Sequence, residues 1–194
     1  MDITWTDALL SLAIGVGLAA ATGMRVFVPL LVLGLTARMD WLPLSPGFQW
    51  LESWPAIIAF AVAAVLEIGA YYIPVVDNFL DLLAGPLAVM AGIVATAAVI
   101  TDLPPLVRWS LAIVAGGGTA GVVQTLMSVV RLKSTALTAG FGNFVVATFE
   151  LIASFAASLI AIIAPVIAIV VVFGILVVFF ALTRNRTAVR RQLT

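Results

Sequence analysis

Charged side chains inside apolar segments are the residues of this sequence best suited to chemistry. Arg25 lies near the middle of the first apolar stretch, and Glu67 and Glu150 lie inside two later ones. A charge in hydrocarbon is costly, so it usually marks a binding or transport site, or is paired with an opposite charge. Arg25 could bind an anion or a lipid phosphate. The glutamates could carry protons or cations, or neutralise Arg25.

Three polar residues outside this set could contribute to the same site. Asp77 and Asp81 are four residues apart, so on a helix they share a face and could bind a hard cation. Asp77 could instead cap the helix that follows Pro74. Gln124 could line a site opposite Arg25, or form a hydrogen bond between helices.

The composition removes several kinds of chemistry. The chain has no histidine and no cysteine, which excludes disulfides, thiolate nucleophiles and the usual zinc sites. Its formal net charge is zero, so it lacks the basic footprint of a nucleic-acid-binding protein. No nucleophile–base pair or metal cluster is visible, and we expect neither an enzyme nor a cofactor.

The elements that position these residues must be membrane helices. Hydrophobic residues make up 64% of the 194 positions and charged residues 9%, with a mean hydropathy of +1.27. Soluble domains carry about a quarter charged residues. A helix needs about 20 apolar residues to cross a bilayer. The pattern predicts an all-α membrane protein with six spans, at about 8–37, 55–72, 85–101, 109–130, 143–163 and 166–182.

Glycine and proline mark where these helices should break. Gly23 and Pro29 flank Arg25, and we expect the first helix to be interrupted within 22–29. Pro86 should open the third span. Pro165 should divide the long apolar run 143–182 into two spans, since 40 residues are too many for one.

A weak internal repeat suggests two halves. Ser11–Ile14 recurs as Ser110–Ile113, in a register that places Arg25 on Gln124, and the sequence around Glu67 resembles that around Glu150. The halves would be 8–101 and 109–182, followed by a basic tail at 183–194. Three spans in each half would give an inverted repeat, a common architecture of transporters, with an irregular first helix in each half.

The Lys and Arg distribution predicts the orientation in the membrane. With six spans both termini share one side of the membrane. That side would hold six basic residues, namely Arg131, Lys133, Arg184, Arg186, Arg190 and Arg191. The other side would hold only Arg38 and Arg108. Because cytoplasmic segments are enriched in Lys and Arg, we expect both termini in the cytoplasm.

Two segments resemble a known family. The stretch ATGMRVFVPLL at 21–31 and the stretch IPVVDNFLD at 73–81, with Glu67 between them, are similar to the bacterial membrane family of domain of unknown function 4126. Tyr71 and Tyr72 depart from the acidic–basic pair of that family. The resemblance implies a compact polytopic fold in a bacterial inner membrane, and it implies no activity.

Three functions fit these residues. The first is a small transporter or channel for an ion or small polar solute, plausibly a homodimer, with a water-accessible cavity that reaches Glu67 or Glu150. The second is a lipid-phosphate handling protein, such as a flippase, with a lateral opening near Arg25. The third is a membrane scaffold, in which Arg25 and a carboxylate satisfy each other and no cavity exists.

Overall fold

Helices are the only regular secondary structure in the residues that the structure, a computed structural model, describes: 5–70, 74–138 and 142–191, with side chains for 5–70, 83–138, 142–177 and 179. Seven α-helices lie in these ranges: α1 Trp5–Thr22, α2 Phe27–Arg38, α3 Trp54–Ala70, α4 Pro74–Val99, α5 Pro105–Thr138, α6 Asn143–Ile163 and α7 Pro165–Arg191. A short 3-10 helix, Gln49–Glu52, precedes α3. The all-α prediction is confirmed.

These helices have the length and composition of membrane segments. Three of them, α1, α5 and α6, are long and apolar enough to cross a bilayer, and shorter apolar helices accompany them. Large hydrophobic side chains cover much of the outside of the bundle. A bilayer would bury these side chains, whereas water would not.

Helices α1 and α2 form a hairpin instead of one interrupted span. Helix α1 runs antiparallel to α4, since Gly15 packs on Thr96 and the Thr22 hydroxyl donates to the carbonyl of Ala88. After α2 the chain returns to the same end of α4, where the Ser45 hydroxyl donates to the carbonyl of Ala97. The hairpin therefore starts, with α1, and finishes, with α2, at one end of the bundle, and the predicted first span 8–37 is a re-entrant hairpin.

Every tryptophan lies at that end of the bundle, which we call the tryptophan end. The five residues are Trp5, Trp41, Trp50, Trp54 and Trp109. All of them are exposed, as expected of a belt at a membrane–water interface. In a bilayer, this end of the bundle would lie at one of the two interfaces with water.

Helices α3 to α7 cross between this end and the opposite end. Helix α6 runs antiparallel to α1, because Ser154 bonds to Ala21 while Gly17 packs on Ala161. Helix α7 doubles back from α6 at Ala164 and packs through Val172 on α1 and α5. The N-terminal end of α1 and the C-terminal end of α7 consequently lie at opposite ends of the bundle, not on the common side that six spans would require.

The helix directions also differ from an inverted repeat. Gly116 on α5 packs on Gly92 and Thr96 of α4. One turn later in α5, Ala120 packs on Gly92, which lies one turn before Thr96 in α4. Helix α5 is therefore antiparallel to α4, as α1 is, so α1 and α5 run the same way. The first helices of two inverted halves would run in opposite directions.

The prolines act differently from one another. Pro165 begins α7, as the sequence predicts, and Ala164 separates it from α6. Pro29 lies in the first turn of α2, where its missing amide proton would have no helical acceptor, so it does not break the helix. Pro86 lies inside α4, and the helix continues on both sides. The predicted third span 85–101 is therefore the later part of a longer helix, since packing in a membrane bundle tolerates such a proline.

The predicted irregularity in the second half takes a milder form. Helix α5 has no break, but its backbone is π-helical over Ala112–Gly117. In a π-helix each hydrogen bond spans one residue more than in an α-helix. No proline removes an amide donor within this stretch, so the helix remains continuous.

Candidate functional site

The tip of the α1–α2 hairpin lies inside the bundle because Gly23 lets it pack closely on α5. A Cβ atom at Gly23 would lie 2.6 Å from Cβ of Val123 and 2.7 Å from the carbonyl oxygen of Ala120. No larger residue fits without moving α5. Residues 23–26 thus turn in the interior and carry Arg25 with them, within the predicted interval 22–29.

Glu67 caps the N-terminus of α2 from the neighbouring helix α3. Its two carboxylate oxygens accept hydrogen bonds from the backbone amides of Val26, at 3.0 Å, and Phe27, at 3.2 Å. The first amides of a helix have no partner within the helix and carry a partial positive charge. The carboxylate therefore satisfies both the hydrogen-bonding capacity and the charge of this buried helix end.

Glu150 lies between two arginines in the core of the bundle. It is fully buried, and Arg25 and Arg131 are 1% and 6% exposed. Arg131 holds the carboxylate through both of its oxygens, with Nε donating to Oε1 at 3.0 Å and Nη2 pairing with Oε2. Nη2 of Arg25 lies 3.8 Å from Oε2 of Glu150 and donates to the carbonyl of Ala147 at 2.8 Å. This Arg25–Glu150–Arg131 cluster ties the hairpin tip to α5 and α6.

Glu67 also borders a cavity between the hairpin tip and helices α3 and α4. We call it the tip cavity; its volume is about 400 Å³. Its lining consists of Val26, Phe27, Ala63, Leu66, Glu67, Ala70, Ala84 and Leu87. Glu67 is half-buried, and among the described lining residues it is the only polar one.

A second depression, which we call the outer groove, lies on the other side of α2. Its volume is about 430 Å³, and its described lining is entirely apolar: Val28, Leu31, Ala61, Ala64, Val65, Ile68, Leu151, Ile152 and Phe155. Nothing in this lining could bind a polar group. The two depressions therefore offer a natural comparison, with and without a carboxylate.

The structure brings together three of the predicted site residues and adds one. Arg25, Glu67 and Glu150 meet around the hairpin tip. Gln124 is buried on α5, with its backbone against Gly23. The sequence pointed to Arg131 only as one of the basic residues that set the orientation in the membrane. Its spacing of seven residues from Gln124 could have revealed it, because residues seven apart share a helix face.

The remaining prediction concerns Asp77 and Asp81. Both belong to α4, but they lie outside the residues whose side chains the structure describes. Their role as cation ligands or caps stays a prediction.

Comparison with known proteins identifies a family. The pattern of the family described as Domain of unknown function (DUF4126) matches residues 12–185, which include the hairpin tip, both glutamates and both arginines of the site. No curated protein and no solved structure matches the chain. The match extends over most of the sequence, and the chain therefore belongs to the family of the domain of unknown function DUF4126.

Proposed function

We propose that the protein is a small membrane transporter in which Glu67 exchanges a proton or a cation with the tip cavity. The observation that carries this proposal is that Glu67 both caps a helix inside the bundle and borders a cavity. An ion in the cavity can reach this carboxylate, and its binding can change the interaction of Glu67 with the helix.

The two glutamates have different roles in this proposal. Glu150 is fully buried and bonded to Arg131 through both oxygens, so an incoming ion would have to break a closed ion pair. Glu67 is half-buried, and its carboxylate accepts hydrogen bonds from two backbone amides of α2. We therefore assign ion exchange to Glu67 and a positioning role to Glu150.

Neutralising Glu67 would change the hairpin. A protonated carboxyl, or one paired with a cation, is a weaker acceptor for the amides of Val26 and Phe27 than a free carboxylate. The end of α2 would lose part of its cap while Arg25, on the same tip, stays tied to Glu150. Ion binding would thus favour a second position of α2, which is the two-state behaviour that transport requires.

A lipid-phosphate handling protein is the second candidate. The lateral position of the tip cavity between α3 and α4 favours it, because a lipid could reach this space from the membrane. Against it, Arg25 contacts Glu150 and Ala147 within the protein. The scaffold hypothesis accounts for the Arg25–Glu150–Arg131 cluster and offers no role for the cavity.

Flux measurements in proteoliposomes test the role of Glu67. We expect proton or cation flux from the wild type, and a loss of at least about tenfold in Glu67→Gln, because the neutral amide cannot exchange a charge. Glu52→Gln, in the loop at the tryptophan end, serves as the control for charge removal. Equal flux in Glu67→Gln and wild type, or no flux above that of protein-free liposomes, would contradict the proposal; lipid translocation would then be tested next.

We also propose an orientation, with the tryptophan end outside and the opposite end in the cytoplasm. Helix α5 carries Arg131 and Lys133 towards the opposite end, where α7 also finishes, while Arg38 and Arg108 lie at the tryptophan end. This places the basic residues of α5 and the tail inside, as the distribution of Lys and Arg in membrane proteins requires. The N-terminus would then be external, unlike the C-terminus.

Labelling of single cysteines tests this topology in a chain that has no native cysteine. Thr6→Cys and Pro46→Cys flank the hairpin, and both should react with a membrane-impermeant maleimide added to intact cells. Ala136→Cys, near the end of α5, should react only after the membrane is opened. Labelling of Thr6→Cys and Pro46→Cys from opposite sides would show that α1 and α2 form a single span.

A further inference from the structure

The described lining of the tip cavity offers too few oxygen ligands for a small hydrated ion. Around Glu67, the described lining consists of aliphatic side chains and one aromatic ring, Phe27. A metal ion needs several oxygen ligands to replace its hydration shell. The described residues contain no group of three or more acidic side chains that could hold a metal.

The cavity is reached from the side of the bundle. Leu66 and Leu87, which line it, are 66% and 38% exposed on the outer surface of α3 and α4. In a membrane this surface faces acyl chains. A ligand that enters here must be soluble in lipid, and its size can be that of a drug-like molecule, since such sites typically have volumes of about 300–1,000 Å³.

The negative charge at the inner end of the cavity favours a ligand that is a cation. Glu67 presents a carboxylate there, and Phe27 contributes an aromatic ring to the lining, a group that can also attract a cation. The nearby arginines, Arg25 and Arg131, are both held by Glu150. A cation with a delocalised or shielded charge is weakly hydrated, so it loses little hydration free energy in such a site. An anion would be repelled by the carboxylate of Glu67.

We infer that the tip cavity binds a lipophilic organic cation, which reaches Glu67 from the membrane between α3 and α4. This inference rests on the proposed function, because the same carboxylate would hold a proton when the organic cation is absent. Each binding event then leaves Glu67 neutral, and the proton released on cation binding balances the charge. The protein would exchange protons for lipophilic cations.

Binding of two probes of matched size and opposite charge tests the inference. Purified protein in nanodiscs is titrated with tetraphenylphosphonium and, separately, with tetraphenylborate. We expect the cation to bind and the anion not to bind. Glu67→Gln should weaken cation binding about tenfold or more, because it removes the charge partner. Ala63→Phe, which fills the tip cavity, should abolish binding, and Ala61→Phe, in the outer groove, should leave it unchanged.

The possible results separate this inference from the proposed function. Tetraphenylborate binding as tight as that of the cation, or cation binding that is equal in Glu67→Gln and wild type, would overturn the inference. If Glu67-dependent proton flux exists and tetraphenylphosphonium does not bind, the transporter stands and the substrate class is wrong. If the cation binds through Glu67 and no flux occurs, the site stands and the transport function is wrong. Thermal unfolding of each variant shows that loss of binding is not loss of fold.

Discussion

Replacing Glu150 by glutamine should destabilise the protein more than any other loss of a single charge in the described core. The change removes the carboxylate that lies between Arg25 and Arg131, and both guanidinium groups stay buried. Breaking a buried ion pair from one side costs about 3–5 kcal/mol. We expect the free energy of unfolding in SDS titrations to fall by that amount, with a lower yield of folded protein.

The matched control is Asp102→Asn, which removes an exposed carboxylate that accepts a hydrogen bond from the hydroxyl of Thr101. It should change stability by less than about 0.5 kcal/mol. The double variant Glu150→Gln, Arg131→Gln should be less destabilised than the two single variants added together, because it removes both members of one pair. Wild-type stability in Glu150→Gln would contradict the cluster as described.

Replacing Gly116 by leucine should prevent close packing of α5 on α4. A Cβ atom at this position would lie 2.7 Å from the carbonyl oxygen of Gly92, which is backbone and cannot rotate away. Helix α4 cannot retreat either, since Thr96 donates a hydrogen bond to the carbonyl of Gly15 on α1. Overpacking costs about 1–3 kcal/mol in a core that can adjust, and more where backbone is in contact, so we expect about 3 kcal/mol or more.

Gly118→Leu is the control for this change, two residues further along the same helix. Nothing lies within 4 Å of a Cβ atom at Gly118, so the side chain would extend to the outside of the bundle. Its melting temperature should equal or slightly exceed that of the wild type, since leucine favours helix more than glycine does. A similar loss of stability in both variants would show that the glycines act through helix propensity and not through contact.

The sequence identified charged residues of the candidate site, but it did not predict their arrangement. Charges inside apolar segments pointed directly to Arg25, Glu67 and Glu150, because burial of a charge in hydrocarbon is costly wherever it occurs. Arg131 was missed since it follows an apolar stretch, and such a basic residue usually lies in a connector. Because α5 continues to Thr138, Arg131 lies within the helix and not in a loop after it, and its side chain is in the core.

The hairpin could not be predicted from hydropathy. The apolar stretch 8–37 is equally compatible with one long broken span and with two shorter helices that return to the same side. What decides between them is tertiary contact: Gly23 packs on α5, Glu67 caps α2, and Ser45 bonds to the end of α4. These contacts join residues far apart in sequence, and no local pattern contains them.

The depth of the hairpin tip determines how strongly the membrane voltage acts on the site. Glu67 lies 13 residues after Trp54 in α3, which places it about 20 Å from the tryptophan end at about 1.5 Å per residue. In hydrocarbon about 30 Å thick, a monovalent ion moving from the opposite end to Glu67 crosses about a third of the field. That step is worth about 0.8 kcal/mol per 100 mV, against about 1.5 kcal/mol for the step from the tryptophan end. Transport through this site would therefore be electrically asymmetric, and its voltage dependence would identify which of the two steps limits the rate.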